Sequence, residues 1–293
     1  MCVNGKEPNK MKRRYFVFDA KKCIGCFNCL HACKDEHVGN DFSPITLPQK
    51  LHQQYWLTTT ELVRGQFPTI DVSYLTEPCG HCEDAPCLTE SSGVIFKRDD
   101  GVILIDPIKA KGAGDLSALC PFGKISYNEE QDVSQKCTFC AHLLDEGWEQ
   151  PRCAQACPLG AIKMEYVEPE IIAERVDSGE LSQLGEKYLE YGSSLYIKNI
   201  EKIKSLFIAG KLLSNDAGQE VCAEGLLVKL YKEDDLLQTL RSDVFGEYKF
   251  DGLVPGEYSI EISDGEKVQH SFSINVENSI SLKPLKGFNV LNC

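Results

Sequence analysis

Residues 23–33 read CIGCFNCLHAC, which places Cys23, Cys26, Cys29 and Cys33 in the spacing CxxCxxCxxxC. Three thiolates from one tight loop can take three corners of a 4Fe-4S cubane, and the fourth then serves a different cluster. Gly25 suits such a loop, because a backbone without a Cβ bends freely and can aim an N–H at a cluster sulfur. Cys33 therefore calls for three partners elsewhere. Cys137, Cys140, Cys153 and Cys157 supply them, spaced CxxC, twelve residues, CxxxC, with Pro158 directly after. The pairing closes with Cys23, Cys26, Cys29 and Cys157 around one cluster and Cys33, Cys137, Cys140 and Cys153 around a second. Pro158 is expected to end a short helix that carries Cys157.

A third loop holds Cys79, Cys82 and Cys87, and the cysteine left nearby to complete it is Cys120, again followed by a proline, Pro121. That makes a third 4Fe-4S cluster. If this pair of motifs repeated the first, a fourth cluster would need cysteines at 91, 110, 113 and 116. The chain has Ser91, Ala110, Ala113 and Leu116 there. Alanine and leucine carry no donor atom, so the second lobe reads as a half-emptied copy of the first.

Two other uses of cysteine compete. CxxC pairs bind structural zinc, and dense cysteines form disulfides in secreted proteins. Zinc would leave the third and fourth thiols of CxxCxxCxxxC awkwardly placed, and disulfides need an oxidising compartment. The first twenty residues contain no apolar run of signal-peptide length, and Arg13-Arg14 reads as a basic flank before a strand at Tyr15–Phe18 rather than as an export signal. The expectation is a cytoplasmic protein with no membrane span. With 44 acidic against 31 basic residues the net charge is -13, which repels nucleic-acid backbones and anionic membranes. Cys2, Cys222 and Cys293 stand apart and are read as spectators.

Around the motifs, His81 and His142 stand where an imidazole N–H could reach a sulfur or a carbonyl, and both are read as structural histidines. Lys21, Lys22, Lys34, Lys136 and Arg152 also flank the cysteines. A cation beside an anionic cluster favours the reduced state, and solvated surface charge is the equal alternative.

The expected fold is α+β. Residues 1–202 form a ferredoxin-like iron-sulfur region, with about 12–48 and 131–202 as one lobe and about 49–130 as an inserted second lobe. Ile171, Ile172, Val176, Leu181, Leu184 and Leu189 recur at helical spacing, so residues 169–203 read as a helical connector. From Leu206 onward short alternating runs such as LFIAGKL, LLVKLYK, GEYKF, GEYSIEI and SFSINV predict an all-β barrel or sandwich over 203–293. Asp251-Gly252 and Pro255-Gly256 are expected to turn the chain between two of its strands. No ligand constellation falls in this module, which reads as a packing or docking domain.

The four cysteine motifs in this order, including CGHCEDAPC at 79–87 and CTFCAHLLDEG at 137–147, resemble the iron-sulfur subunit of the dimethyl sulfoxide reductase family of molybdenum enzymes. That resemblance implies an electron-transfer subunit docked on a large catalytic subunit that carries a bis-molybdopterin guanine dinucleotide cofactor, so no catalytic residue is expected in this chain. In four-cluster relatives the absent position lies where electrons pass to a membrane subunit, so no membrane subunit is expected. The C-terminal module looks transthyretin-like or carboxypeptidase-regulatory-like. Together with DGVILIDPIKAKG at 100–112, QKCTFCAHLLD at 135–145 and FGEYKFDGL at 245–253, it is similar to the branch of hydroxytransferases acting on trihydroxybenzenes. That branch implies a redox-neutral conversion of pyrogallol to phloroglucinol. A net-redox relative such as a resorcinol hydroxylase or catechol dehydroxylase, and a non-redox zinc-stabilised interaction protein, are the alternatives.

Overall fold

The structure, a computed structural model, describes residues 11–216 and 218–289; Cys2 and Cys293 lie outside them. The chain forms two compact units. One comprises residues up to Glu61 together with Ser73–Ile200, the other Leu62–Val72 together with residues from Glu201 on. The stretch 62–72, which the sequence reading assigned to the inserted lobe, is thus grouped with the C-terminal unit.

The first unit begins with strand β1 (Arg13–Asp19) and helix α1 (Asn28–His37). A hairpin of β2 (Thr58–Gln66) and β3 (Thr69–Glu77) follows, and its tip belongs to the other unit. Next come α2 (Pro86–Glu90), the hairpin β4 (Ile95–Lys97) and β5 (Ile103–Ile105), α3 (Pro107–Ala110), and the hairpin β6 (Ser126–Asn128) and β7 (Val133–Gln135). Two short helices follow, α4 (Ala141–Asp145), capped by Cys140, and α5 (Arg152–Gln155), which carries Cys153. The chain then adds β8 (Ile162–Val167), α6 (Pro169–Asp177), β9 (Leu181–Ser182), α7 (Glu186–Glu190) and β10 (Leu195–Lys198).

One four-stranded sheet in the order β8-β1-β10-β9 frames this unit. Its apolar strand β1 is central because Tyr15 to Phe18 are all buried, which suits a strand covered on both faces. The reading of 169–203 as a helical connector is corrected here. Between residues 169 and 200 only α6 and α7 are helical, while β10 pairs in parallel with β1 and β9 pairs with β10. Leu195 and Ile197 alternate with half-exposed Tyr196 and Lys198, a period-2 pattern too short to outweigh the helical spacing around it.

The second unit opens on α8 (Glu201–Lys204) and continues as β11 (Leu206–Asp216), β12 (Gln219–Cys222), β13 (Leu227–Lys232), β14 (Asp235–Arg241), β15 (Glu247–Leu253), β16 (Gly256–Ser263), β17 (Val268–Val276), β18 (Ile280–Ser281) and β19 (Leu285–Phe288). They make a β-sandwich. One sheet runs β12-β11-β15 with β18 and β19 also on β11, and the other runs β14-β13-β16-β17. Val228, Leu230, Phe250, Ile260 and Ile262 are fully buried in one core. The strands at GEYKF and GEYSIEI exist as expected, but they do not pair with each other. β15 lies on β11 and β16 on β13, so the Val254-Pro255 connection carries the chain from one sheet to the other. The Tyr258 hydroxyl ties this crossing by donating to the Val254 carbonyl at 2.7 Å. Asp251-Gly252 does not turn the chain but bends β15, with Gly252 at φ 80°.

Residues 62–72 are built into the same unit. Asp71 accepts from Arg64 at 2.8 Å, Lys202 at 2.9 Å and Lys249 at 3.0 Å. Burial pushes its carboxyl up, and the hydrogen bonds and charges of Lys202 and Lys249 overcome this and hold it down at about 2.

Candidate metal centres

The loop after β1 begins the first group. Gly25 takes φ 67° and Phe27 φ 59°, a left-handed pair that coils residues 23–29 before α1 starts. A Cβ on Gly25 would fall 2.3 Å from the Tyr74 ring, so both the conformation and the space demand glycine. Cys23, Cys26, Cys29 and Cys157 line one cavity whose remaining walls include Phe18, Ile24, Thr59, Thr76, Leu159 and Ile162. The Gly25 amide and the Thr76 hydroxyl both hydrogen-bond the Cys23 sulfur.

Cys29 and Cys33 are four apart on α1 and so lie on one face; α1 packs on α5, which carries Cys153. This juxtaposition forms the second group. Burial pushes the Cys33 and Cys153 thiols far up; the charges of Cys137 and Cys140 add to the shift at Cys33, and those of Cys140, Cys33 and Cys137 at Cys153. Phe139 and Cys140 sit at φ 52° and 51°, a second left-handed turn made by non-glycine residues. Such conformations are costly and collect at functional sites.

Cys79, Cys82, Cys87 and Cys120 form the third group and line a cavity with Gly80, Ala85, Pro86, Ile103 and Phe122. The turns that end the third and first groups are copies of each other. CPFGK at 120–124 and CPLGA at 157–161 both place a left-handed glycine three residues after the cysteine, Gly123 at φ 63° and Gly160 at φ 59°. Each then directs the next amide back to the sulfur, Lys124 N–H to Cys120 Sγ at 3.3 Å and Ala161 N–H to Cys157 Sγ at 3.1 Å. The expected helix around Cys157 is corrected, because α5 ends at Gln155 and Cys157 belongs to this turn.

Among the described residues no group of three or more His, Cys, Asp or Glu side chains converges on a single-ion site. The cysteines of the first and third groups instead surround volumes with largely apolar walls, at which the Ala161 and Lys124 amides reach Cys157 and Cys120, and in the second group Phe139 N–H lies 3.4 Å from Cys137 Sγ. Sulfur-rich anions with several acceptor atoms fit that setting. Burial pushes Cys82 and Cys140 up to about 12, and Cys29, Cys87 and Cys137 up to about 11. As bare thiols they are neutral at neutral pH, and metal binding must displace their protons.

Of the four vacated positions, Ala113 is exposed. Ser91 Oγ is already used, donating to the Leu88 carbonyl at 3.2 Å and accepting from Ile95 N–H at 3.1 Å. Ala110 is fully buried and Leu116 packs with it in an apolar cluster containing Ile95, Ile105 and Val133.

The flanking polar residues divide sharply. His142 Nε2 lies 3.0 Å from Glu36 and faces no sulfur. His81 Nδ1 accepts from Ile103 N–H at 2.9 Å. Arg152 pairs with Glu36 at 2.9 Å, and Lys34 donates to the Gln54 carbonyl at 2.6 Å. Lys22 is exposed. Lys136 is not a surface charge, since only 2% of it is exposed. One residue absent from the sequence reading belongs here. His37, 1% exposed, brings Nε2 within 3.8 Å of Cys140 Sγ, and burial drives its pKa down to about 3. Its spacing four residues beyond Cys33 on α1 was the available signal.

Residues 70–167 match the family model of the 4Fe-4S dicluster domain, and residues 204–282 match that of the BOS complex subunit NOMO1-like second beta sandwich domain. The chain is 38% identical to the pyrogallol hydroxytransferase small subunit of Pelobacter acidigallici, over 94% of this chain and 100% of that one. It is 31% identical to the B subunit of the anaerobic dimethyl sulfoxide reductase of Escherichia coli, over 50% of this chain and 70% of that one. A solved structure, the minor pilin GBS52 of Streptococcus agalactiae, aligns at 14% identity over 34% of this chain and 51% of that one, with a TM-score of 0.23. Among the described residues no helix is long and apolar enough to cross a membrane. The chain belongs to the iron-sulfur electron-transfer subunits of the dimethyl sulfoxide reductase family of molybdenum enzymes, as a homologue of the pyrogallol hydroxytransferase small subunit.

Proposed function

We propose that this chain holds three 4Fe-4S clusters and serves as the cytoplasmic electron-transfer small subunit of a molybdopterin-dependent hydroxytransferase that converts pyrogallol to phloroglucinol. The grouping of twelve cysteines into three tetrads carries the reading. Cys23, Cys26, Cys29 and Cys157 would hold one cluster, Cys33, Cys137, Cys140 and Cys153 the second, and Cys79, Cys82, Cys87 and Cys120 the third. Such clusters, when bound, exchange single electrons. The chain's own residues fix their order. Helix α1 links the first and second tetrads through Cys29 and Cys33. Cys79 links the second and third, because its amide hydrogen-bonds Cys137 Sγ. Ala110 and Leu116, at two of the vacated fourth positions, pack into an apolar cluster, which supports a count of three.

The catalytic chemistry belongs in this reading to a large partner subunit with a bis-molybdopterin guanine dinucleotide cofactor, in line with the full-length likeness to a named small subunit. Co-purification tests it directly. A molybdenum-containing partner, about twelve iron atoms per chain and conversion of pyrogallol without added oxidant or reductant are expected. Absence of the partner or of that conversion removes the assignment. Cys120→Ala should cost one cluster and leave two; loss of none breaks the third grouping.

A net-redox subunit, as in a resorcinol hydroxylase or catechol dehydroxylase, is the second reading. It is favoured by the exposure at both ends of the row, where Cys26 is exposed and Cys120 half-buried, so that a soluble carrier has access. Turnover that depends on an added electron donor or acceptor would select it.

A further inference from the structure

Lys136 presents an electrostatic problem that the rest of the unit does not solve. Its side chain is among the largest fully buried ones, and its ammonium donates to the carbonyls of Ile103 at 2.5 Å and Cys137 at 3.1 Å. Among the described residues no carboxylate forms an ion pair with it, although the chain carries 44 acidic residues. The adjacent His81 cannot supply an anion. It is 1% exposed, an imidazole carries no negative charge, and its Nδ1 already accepts from Ile103 N–H. A buried ammonium without an anion costs several kcal/mol, and two carbonyl dipoles offset that only in part. The negative groups within its reach are sulfurs. Ile103, whose carbonyl Lys136 meets, lines the cavity of the third tetrad, and Cys137, whose carbonyl it also meets, belongs to the second, whereas neither Lys136 nor Ile103 lines the cavity of the first.

We propose that Lys136 is a built-in counter-charge shared by the second and third clusters, which raises their reduction potentials relative to the first and makes this adjacent pair the resting place of the electron. This inference depends on the three-cluster reading above. The physical reason is Coulombic. A cubane gains one negative charge on reduction, and a fixed cation held at low dielectric stabilises the reduced form more than the oxidised one. Two clusters flanking one ammonium feel it together, while the tetrad at the far end of α1 does not. Lys136 acts through the cluster ligands and is a positioning charge rather than a catalytic residue. For a redox-neutral conversion such an arrangement retains an electron within the row; for a net-redox enzyme it makes two adjacent clusters of the row an electron well.

The test is a potentiometric titration of the purified complex followed by electron paramagnetic resonance, with iron determined on every sample. Iron in the wild-type complex well short of about twelve atoms per chain would remove the cluster count itself, before any variant is made. Lys136→Gln keeps donors for the two carbonyls without the charge, Lys136→Met removes both, and Lys136→Arg keeps the charge. In the Gln and Met variants the reduced-to-oxidised ratio of two clusters at a given poise should fall at least tenfold, about 59 mV for a one-electron couple. The first cluster should not move, and Arg should stay near wild type. Unmoved potentials at full iron content, an equal shift of all three clusters, or a shift in Arg as large as in Met would overturn the proposal. If the neutral variants lose iron, loss from two clusters with the first retained and Arg fully loaded supports it. Loss of all iron marks a structural role and overturns it.

Discussion

From Glu201 onward the chain builds long strands, β11 of eleven residues and β17 of nine, around one continuous apolar core. Between Pro86 and Gln155 its strands are three residues long and its helices four or five. A strand of three residues fixes backbone entropy for very few ladder hydrogen bonds. What the cysteine-bearing region has at its centre is a set of thiols and left-handed turns, and its apolar cluster there includes Cys82 and Cys87 themselves. One unit is held by apolar burial, the other waits on ligand bonds to close its loops. Metal coordination then does for the first what a hydrophobic core does for the second.

The sharpest way to break that contrast is to remove the metal. Stripping iron from the complex with a chelator should abolish amide protection in α1 and α5 while β11, β13 and β16 stay protected, as read by hydrogen exchange. Loss of protection in both regions together would end the comparison. Gly25→Ala comes next, since its Cβ would lie 2.3 Å from Tyr74 at φ 67°. It should cost one cluster, about four of about twelve iron atoms, with the melting of the β-sandwich unchanged.

The converse substitution is Phe250→Ala, which empties a fully buried site. It should destabilise the sandwich by about 3–5 kcal/mol in denaturant titration and leave the iron content alone. The smallest effect concerns Asp71, whose depressed pKa makes its contribution pH-dependent. Its folded pKa of about 2 lies below the ordinary carboxylate value. The contribution, roughly 2 kcal/mol, is therefore complete above about pH 4 and is lost as the pH falls toward 2. Asp71→Asn should remove that acid dependence from the unfolding of the C-terminal unit and cost a similar amount at neutral pH.

Reading the chain alone recovers the chemistry further than the architecture. Cysteine spacing carries the ligand sets because a cubane needs its thiolates from short loops, and loop length is written in sequence. The period-2 alternation of Val228, Leu230, Ile260 and Ile262 carries the sandwich for a similar reason, since one face of each strand must be buried. The connector around α6 misled because β10 offers four residues of alternation against a longer helical pattern, and its place beside β1 is a long-range pairing.

The sequence by itself determined which residue types stand at ligand spacing, which fourth positions lack a donor atom, and where a β module replaces the cysteine motifs. All of these follow from local order along the chain. Only the tertiary structure decided that Cys79 meets Cys137, that His37 faces Cys140, that β15 and β16 lie in different sheets, and that Lys136 is buried with its ammonium on two carbonyls. Each of those depends on segments far apart in the chain coming into contact. Electrostatic consequences follow from distance and burial in space, which residue spacing does not encode.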